Sequence, residues 1–297
     1  MKQKSNIIIK SLFALILCLL MTACSINIEI HNANKPSNSD NSLAVHYLSV
    51  GQGDSIFVEL PDKKTMLIDA GVNGLGEGIQ EYINKLGYTT IDFLVATHPH
   101  SDHIGSMDYI VKNFNIGSIY MPKVSTTTKT YERLLTAVSD KGYKIKSTSA
   151  GMTIGDSTDY TIDVLGPVTI DKDELNNCSI VLKITYMNNK FLFLGDAEKQ
   201  EINSITADMS SNVLKVGHHG STTSTNETIL EKISPQYAVI SVGRDNDYGH
   251  PSEKTLSLLE DFNCKTYRTD TDETIIITSD GSNIEVTTDN TDIKGVK

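Results

Sequence analysis

The chain has only three arginines, Arg133, Arg244 and Arg268, and four cysteines among its 297 residues. Beyond residue 20 it has no run apolar enough to cross a bilayer. So few arginines within a net charge of −11 leave no broad basic stripe for a nucleic-acid backbone, which argues against a module that grips DNA or RNA tightly. An enzyme that meets a polyanion only at bound metal ions stays open. There is no Cys-x-x-Cys pair, so a thiolate zinc knuckle is unsupported. Cys18 and Cys24 sit near the start, leaving Cys178 and Cys264 for either a disulfide or two buried thiols, the second being the simpler reading.

What is present begins with an address. Lys2, Lys4 and Lys10 make a positive front, Ser11 to Leu20 is a short apolar run, and Met21-Thr22-Ala23 leads into Cys24. The run is too short for a stable membrane span. The pattern resembles a bacterial lipoprotein signal over residues 1–23, with cleavage before Cys24 and acylation of its thiol, although leucine is commoner where Met21 stands. Acyl chains would hold the protein at the outer face of a cell membrane. Loss of the three leader lysines takes the net charge from −11 to about −14. Residues 24–42, rich in Asn and Ser, read as a flexible tether. Residues 43–297 suit one layered domain with a large core.

Within that domain, strands and amphipathic helices alternate. Ala44–Val50, Ser55–Leu60 and Lys64–Ala70 predict strands, and Asp92–Ala96 predicts another that runs straight into Thr97-His98. In the second half Phe191–Leu194, Val213–Val216 and Tyr237–Val242 repeat the theme. Two sheets facing each other, with helices outside both, would bury every apolar stripe.

The chemistry concentrates at His98-Pro99-His100-Ser101-Asp102-His103, four metal-capable side chains within six residues. Extended chain puts His98 and His100 on one side, and the turn into a helix swings Asp102 and His103 toward a second point. Imidazole and carboxylate donors suit zinc, manganese or iron. Asp196, after its apolar strand, is placed to bridge two ions. Gly217-His218-His219-Gly220 supplies one further histidine ligand, and spacing does not say which. Asp69 is expected to orient the metal loop, not to bind the metal, or else it is an ordinary turn aspartate. His250, in Tyr248-Gly249-His250-Pro251, could donate a proton to a leaving group or bind phosphate, or it is a plain turn residue. His31 and His46 read as tether and strand residues.

These motifs, with Val50-Gly51-Gln52-Gly53-Asp54-Ser55 and Asn176-Asn177-Cys178-Ser179, resemble the metallo-β-lactamase superfamily. Within it they are similar to the ComEC/Rec2-like group, which includes the extracellular nuclease domain of the competence protein ComEC. The resemblance covers nearly all of residues 44–290. It implies an α/β fold, a four-layer αββα sandwich, and two divalent ions, zinc or manganese. His98, His100 and Asp196 would surround one; Asp102, His103, Asp196 and His218 or His219 the other. No histidine lies between His103 and His218, where many superfamily members use one, so the first site would be under-coordinated, weakly held, or completed by Asn177 or water. Ser49 also departs, standing where such chains often carry Asp.

The expected activity is hydrolysis of a phosphodiester outside the cell by a hydroxide shared between the ions, with Asp102 fixing it and His250 assisting the leaving oxygen. Extracellular DNA is the substrate suggested by the resemblance, with no stable nucleic-acid complex. Rival readings are a cell-wall phosphodiester or phosphorylcholine group, and a non-catalytic metal-binding component of DNA uptake.

Overall fold

The computed structural model describes residues 41–293. The leader, Cys24 and all but the last two residues of the expected tether lie outside the described residues. Six strands come first: β1 (Leu43–Tyr47), β2 (Ile56–Glu59), β3 (Thr65–Ile68), β4 (Thr90–Val95), β5 (Asn115–Pro122) and β6 (Ile145–Thr148). Then follow β7 (Tyr160–Gly166), β8 (Val181–Tyr186), β9 (Asn189–Phe193), β10 (Val213–Lys215), β11 (Tyr237–Ile240) and β12 (Lys265–Arg268), and finally β13 (Thr274–Ser279) and β14 (Ile284–Asp289). They form an eight-stranded sheet in the order β14-β13-β1-β2-β3-β4-β5-β6 and a six-stranded sheet in the order β12-β11-β10-β9-β8-β7.

The period-two alternation of side chains decides which face goes where. Leu43, Val45 and Tyr47 of β1, with Met66 and Ile68 of β3, meet Ile162, Ile184, Phe191 and Phe193 of the second sheet in one apolar cluster. Tyr47 and Phe193 stack across it, their rings 6.3 Å apart. The opposite face of the first sheet, including Leu67 and Leu94, is covered by Ile79 and Ile83 of helix α1 (Gly76–Lys85). Leu134 and Ala137 of a later helix, Lys129–Asp140, complete that cover. Leu192, Leu214 and Ile240 face outward from the second sheet onto Ile202, Ile229, Leu230 and Leu259, which lie on helices 199–204, 227–233 and 253–261. The fold is therefore the expected αββα sandwich. Cys178 and Cys264 are both buried and unpaired. His46 is a buried strand residue, bonded to Tyr82 and Glu59. The edge strand β6, Ile145-Lys146-Ser147-Thr148, carries no apolar alternation and was not expected from its sequence.

Candidate metal centre

Parallel pairing delivers the functional residues to one end of each sheet. β3 and β4 run parallel with Ile68 opposite Val95, so Asp69 and Thr97-His98 leave the same edge together. β9 and β10 pair in parallel with Phe193 opposite Lys215, and β10 and β11 with Lys215 opposite Val239. Asp196, His218-His219 and Ser241 therefore emerge side by side on the second sheet. The loop carrying the histidine motif is zipped to the segment after β3: the Ala70 amide donates to the His103 carbonyl at 2.7 Å, and the Gly105 amide to that of Gly71 at 2.8 Å.

Asp69 is fully buried and orients this loop. One carboxylate oxygen accepts the Thr97 amide at 2.8 Å; the other takes the Thr97 hydroxyl at 2.6 Å and lies 2.8 Å from His103 Nδ1. His103 is thereby fixed with Nε2 pointing away from Asp69, 3.2 Å from Asp196 Oδ2 and 3.8 Å from Asp102 Oδ2. His219 reaches the same point from the other sheet, with Nε2 3.4 Å from Asp102 Oδ2 and 3.5 Å from Asp196 Oδ2. Its Nδ1 is held by the Ser241 carbonyl at 2.9 Å. Asp102, His103, Asp196 and His219 each offer one ligand atom, and these atoms all lie within 4.8 Å of one another. Beside them His98 Nε2 lies 3.0 Å from His100 Nδ1 and 3.9 Å from Asp196 Oδ2, a second convergence that shares Asp196 with the first.

These donors fit divalent cations. His103 Nε2, His219 Nε2 and Asp196 Oδ1 are buried without a hydrogen-bond partner, a costly state unless something binds them. The electrostatics agree. Burial alone would depress His103 and His219, yet Asp196 and the other carboxylates drive His103 well above its ordinary range and His219 up to about 10. Burial would raise Asp102 and Asp196, and His103 overrides it in both, holding them below the usual carboxylate range. The cluster demands positive charge, which ions can supply in place of protons.

His218 takes a different place from His219. Both adopt left-handed backbone, φ 49° and 52°. That turn sends His219 inward and leaves His218 partly exposed, 3.9 Å from Asp196 Oδ2 and close to Thr223 and Glu198. His250 lies across from it, with the two rings 5.7 Å apart. Burial and the nearby His218 push the His250 imidazole below its usual range. Asn177 is turned to the backbone, where its Oδ1 accepts the Glu198 amide at 3.0 Å. Its neighbour Asn176 is the one that lines the cavity over the site, with Oδ1 unpartnered. The cavity holds about 320 Å³, and His100, Asp102, Asp196, His218 and His250 also line it.

Two residues, Lys215 and Asp54, have a role here that the sequence did not assign them. Lys215 is fully buried, and its Nζ lies 2.8 Å from Asp54 Oδ2. Asp54 Oδ1 in turn lies 3.4 Å from His219 Nδ1. Burial opposes the Asp54 charge, but Lys215 and His219 bring its carboxyl down to about 2. A lysine inside the apolar stretch Val213–Val216 was the available signal. Gly53 seats Asp54: at φ +133° a side chain is already disfavoured, and a Cβ there would stand 2.2 Å from the Asp102 carbonyl oxygen.

Residues 48–244 match the family model described as the metallo-beta-lactamase superfamily. The chain belongs to that superfamily. Among its curated relatives are competence proteins. It is 32% identical over 251 residues to ComE operon protein 3 of Bacillus subtilis, covering 78% of this chain and 32% of that protein. It is 28% identical over 235 residues to Competence protein ComA of Neisseria gonorrhoeae, covering 78% and 31%. The chain thus spans about a third of the length of the curated relatives it matches. Among solved structures, CmlA, a diiron β-hydroxylase from Streptomyces venezuelae, superposes with a TM-score of 0.51 at 13% identity, covering 80% of this chain and 54% of that one. That likeness is one of fold alone, and a shared fold does not carry a shared reaction.

Proposed function

We propose that this superfamily hydrolase is a phosphodiesterase of the nuclease type, acting outside the cell on a lipid anchor at Cys24. The observation that carries the reading is the convergence of buried, unpartnered His103 Nε2, His219 Nε2 and Asp196 Oδ1 from both sheets, with His98 Nε2 beside them 3.9 Å from Asp196 Oδ2. His98, His100 and Asp196 would hold one divalent ion, and Asp102, His103, Asp196 and His219 the other. Such a pair, zinc or manganese, lowers the pKa of a water toward neutrality and offsets charge that develops on the attacked and leaving oxygens.

The protein's own groups supply orientation. Asp69 and the Lys215–Asp54 pair fix the inward histidines from behind, so no side chain must reorganise as charge develops. His218 and His250 both line the cavity, with rings 5.7 Å apart, and in this reading they would hydrogen-bond the non-bridging and leaving oxygens of a phosphate. A phosphodiester suits an open mouth whose lining is imidazole, amide and carboxylate. The similarity to competence proteins favours DNA as that diester. Among the described residues no helix is long and apolar enough to cross a membrane; in this reading attachment would be through acylation of Cys24.

Hydrolysis of bis-p-nitrophenyl phosphate after chelator treatment and reloading tests the reading. Turnover restored by manganese or zinc, and lost in Asp196→Asn, is the expected result. Stoichiometric metal binding with no turnover for any ion would overturn it in favour of a non-catalytic metal-binding role.

A further inference from the structure

An aromatic ring stands at the mouth of the cavity where the chemistry described so far gives it no role. Tyr248 is 71% exposed, the highest value among the exposed large apolar side chains of the described residues, and it lines the same cavity as His100 and Asp196. A lone exposed tyrosine needs no explanation. This one is built into place. Its ring lies nearly parallel to that of His250, with an interplanar angle of 19° and centroids 6.0 Å apart. His250 in turn meets His218 edge-on. The loop beneath is tied by one side chain: Asn246 Oδ1 accepts the amides of Tyr248 and His250, both at 3.1 Å, and Asn246 Nδ2 donates to the carbonyls of Gly243 and His250 at 2.9 and 2.6 Å. The loop beneath is therefore pre-set, and the ring stands out to solvent in an offset, near-parallel arrangement with the His250 imidazole. Asn176, also on the lining, presents a buried and unpartnered Oδ1.

We infer that Tyr248, backed by His250, is a stacking platform for an unpaired nucleobase next to the scissile phosphate, so that the substrate class is single-stranded nucleic acid or a frayed end. This rests on the phosphodiesterase reading above. A planar, solvent-facing ring beside a phosphate-handling centre is the device by which proteins hold single strands without reading their sequence. A base inside a duplex has both faces already stacked and cannot use it. The acidic surface fits the same picture: with little cationic surface to follow a backbone, affinity has to come from the ring and the metal centre. Asn176 Oδ1 is the acceptor available to a base N–H or a sugar hydroxyl.

The test uses a single-stranded oligonucleotide carrying 2-aminopurine, mixed with the protein in a stopped-flow instrument before cleavage proceeds, and the initial rates of a normal strand against one with abasic central residues. Wild type and Tyr248→Trp should quench the 2-aminopurine, and Tyr248→Ala should not. Tyr248→Ala should cleave the normal strand with KM raised about tenfold, while wild type and Tyr248→Ala handle the abasic strand alike. Undiminished quenching in Tyr248→Ala, or equal KM of wild type for normal and abasic strands, would overturn the platform. Tyrosine-dependent quenching with no hydrolysis under any metal would uphold the platform and remove the hydrolase reading instead.

Discussion

Lys215 Nζ and Asp54 Oδ2 meet at 2.8 Å with both side chains shut away from water. Asp54 comes from the turn between β1 and β2, Lys215 from the end of β10, so the pair joins the two sheets directly under His219. A buried pair of this kind adds little net stability over an apolar substitute, but breaking it strands a charge. Lys215→Ala should therefore lower stability by about 3–5 kcal/mol, measured by urea unfolding. Lys215→Met combined with Asp54→Asn should recover part of that loss while still weakening metal binding, because His219 would lose the negative charge that lies 3.4 Å from its Nδ1.

Asp69 tests orientation separately from ligation. It touches His103 and Thr97 and lies on the far side of His103 from the donor cluster. Asp69→Ala should reduce metal affinity about 10- to 100-fold, the usual effect of removing the partner that fixes a ligating histidine. Competition with a chromophoric chelator measures this. Unchanged affinity would mean that His103 holds its place without help.

Gly53→Ala is the steric counterpart. The added methyl would collide with the Asp102 carbonyl and strain a positive φ, so the residue must move or the loop must. The expected result is a loss of more than about 1 kcal/mol in thermal unfolding, together with metal binding weakened at the point Asp102 serves. A variant that folds and loads like wild type would show that the turn and the loop are not in registered contact.

Cys24→Ser addresses the anchor. If acylation at Cys24 holds the chain at the membrane, this variant should leave the membrane fraction and fail to incorporate labelled fatty acid. Continued membrane association of Cys24→Ser would contradict the lipoprotein reading of residues 1–23.

The fold was legible because short apolar strands and amphipathic helices alternate along the chain; Leu43, Val45 and Tyr47 of β1 all face the other sheet. The metal loop was legible because four donors crowd six residues. The choice between His218 and His219 was not, since it depends on two consecutive left-handed residues, a conformation that side-chain-bearing residues seldom adopt and that no spacing rule anticipates. That Asn176 and not Asn177 faces the cavity was not legible either, since a one-residue difference within a single 3-10 turn (Leu175–Cys178) decides it. Lys215 could have been noticed as a cation inside an apolar strand, but its partner lies 161 positions away in sequence, and only the packing of sheet on sheet reveals it. The strand Ile145–Thr148 escaped because an edge strand with polar side chains has no alternation to read.

The central claim is that loops from both sheets hold two divalent cations on a shared Asp196. Anomalous scattering from crystals soaked in manganese or zinc measures it most directly. The account predicts two peaks, one among His98, His100 and Asp196 and one among Asp102, His103, Asp196 and His219. A cluster that stays empty at saturating metal, or an ion bound away from Asp196, would contradict it.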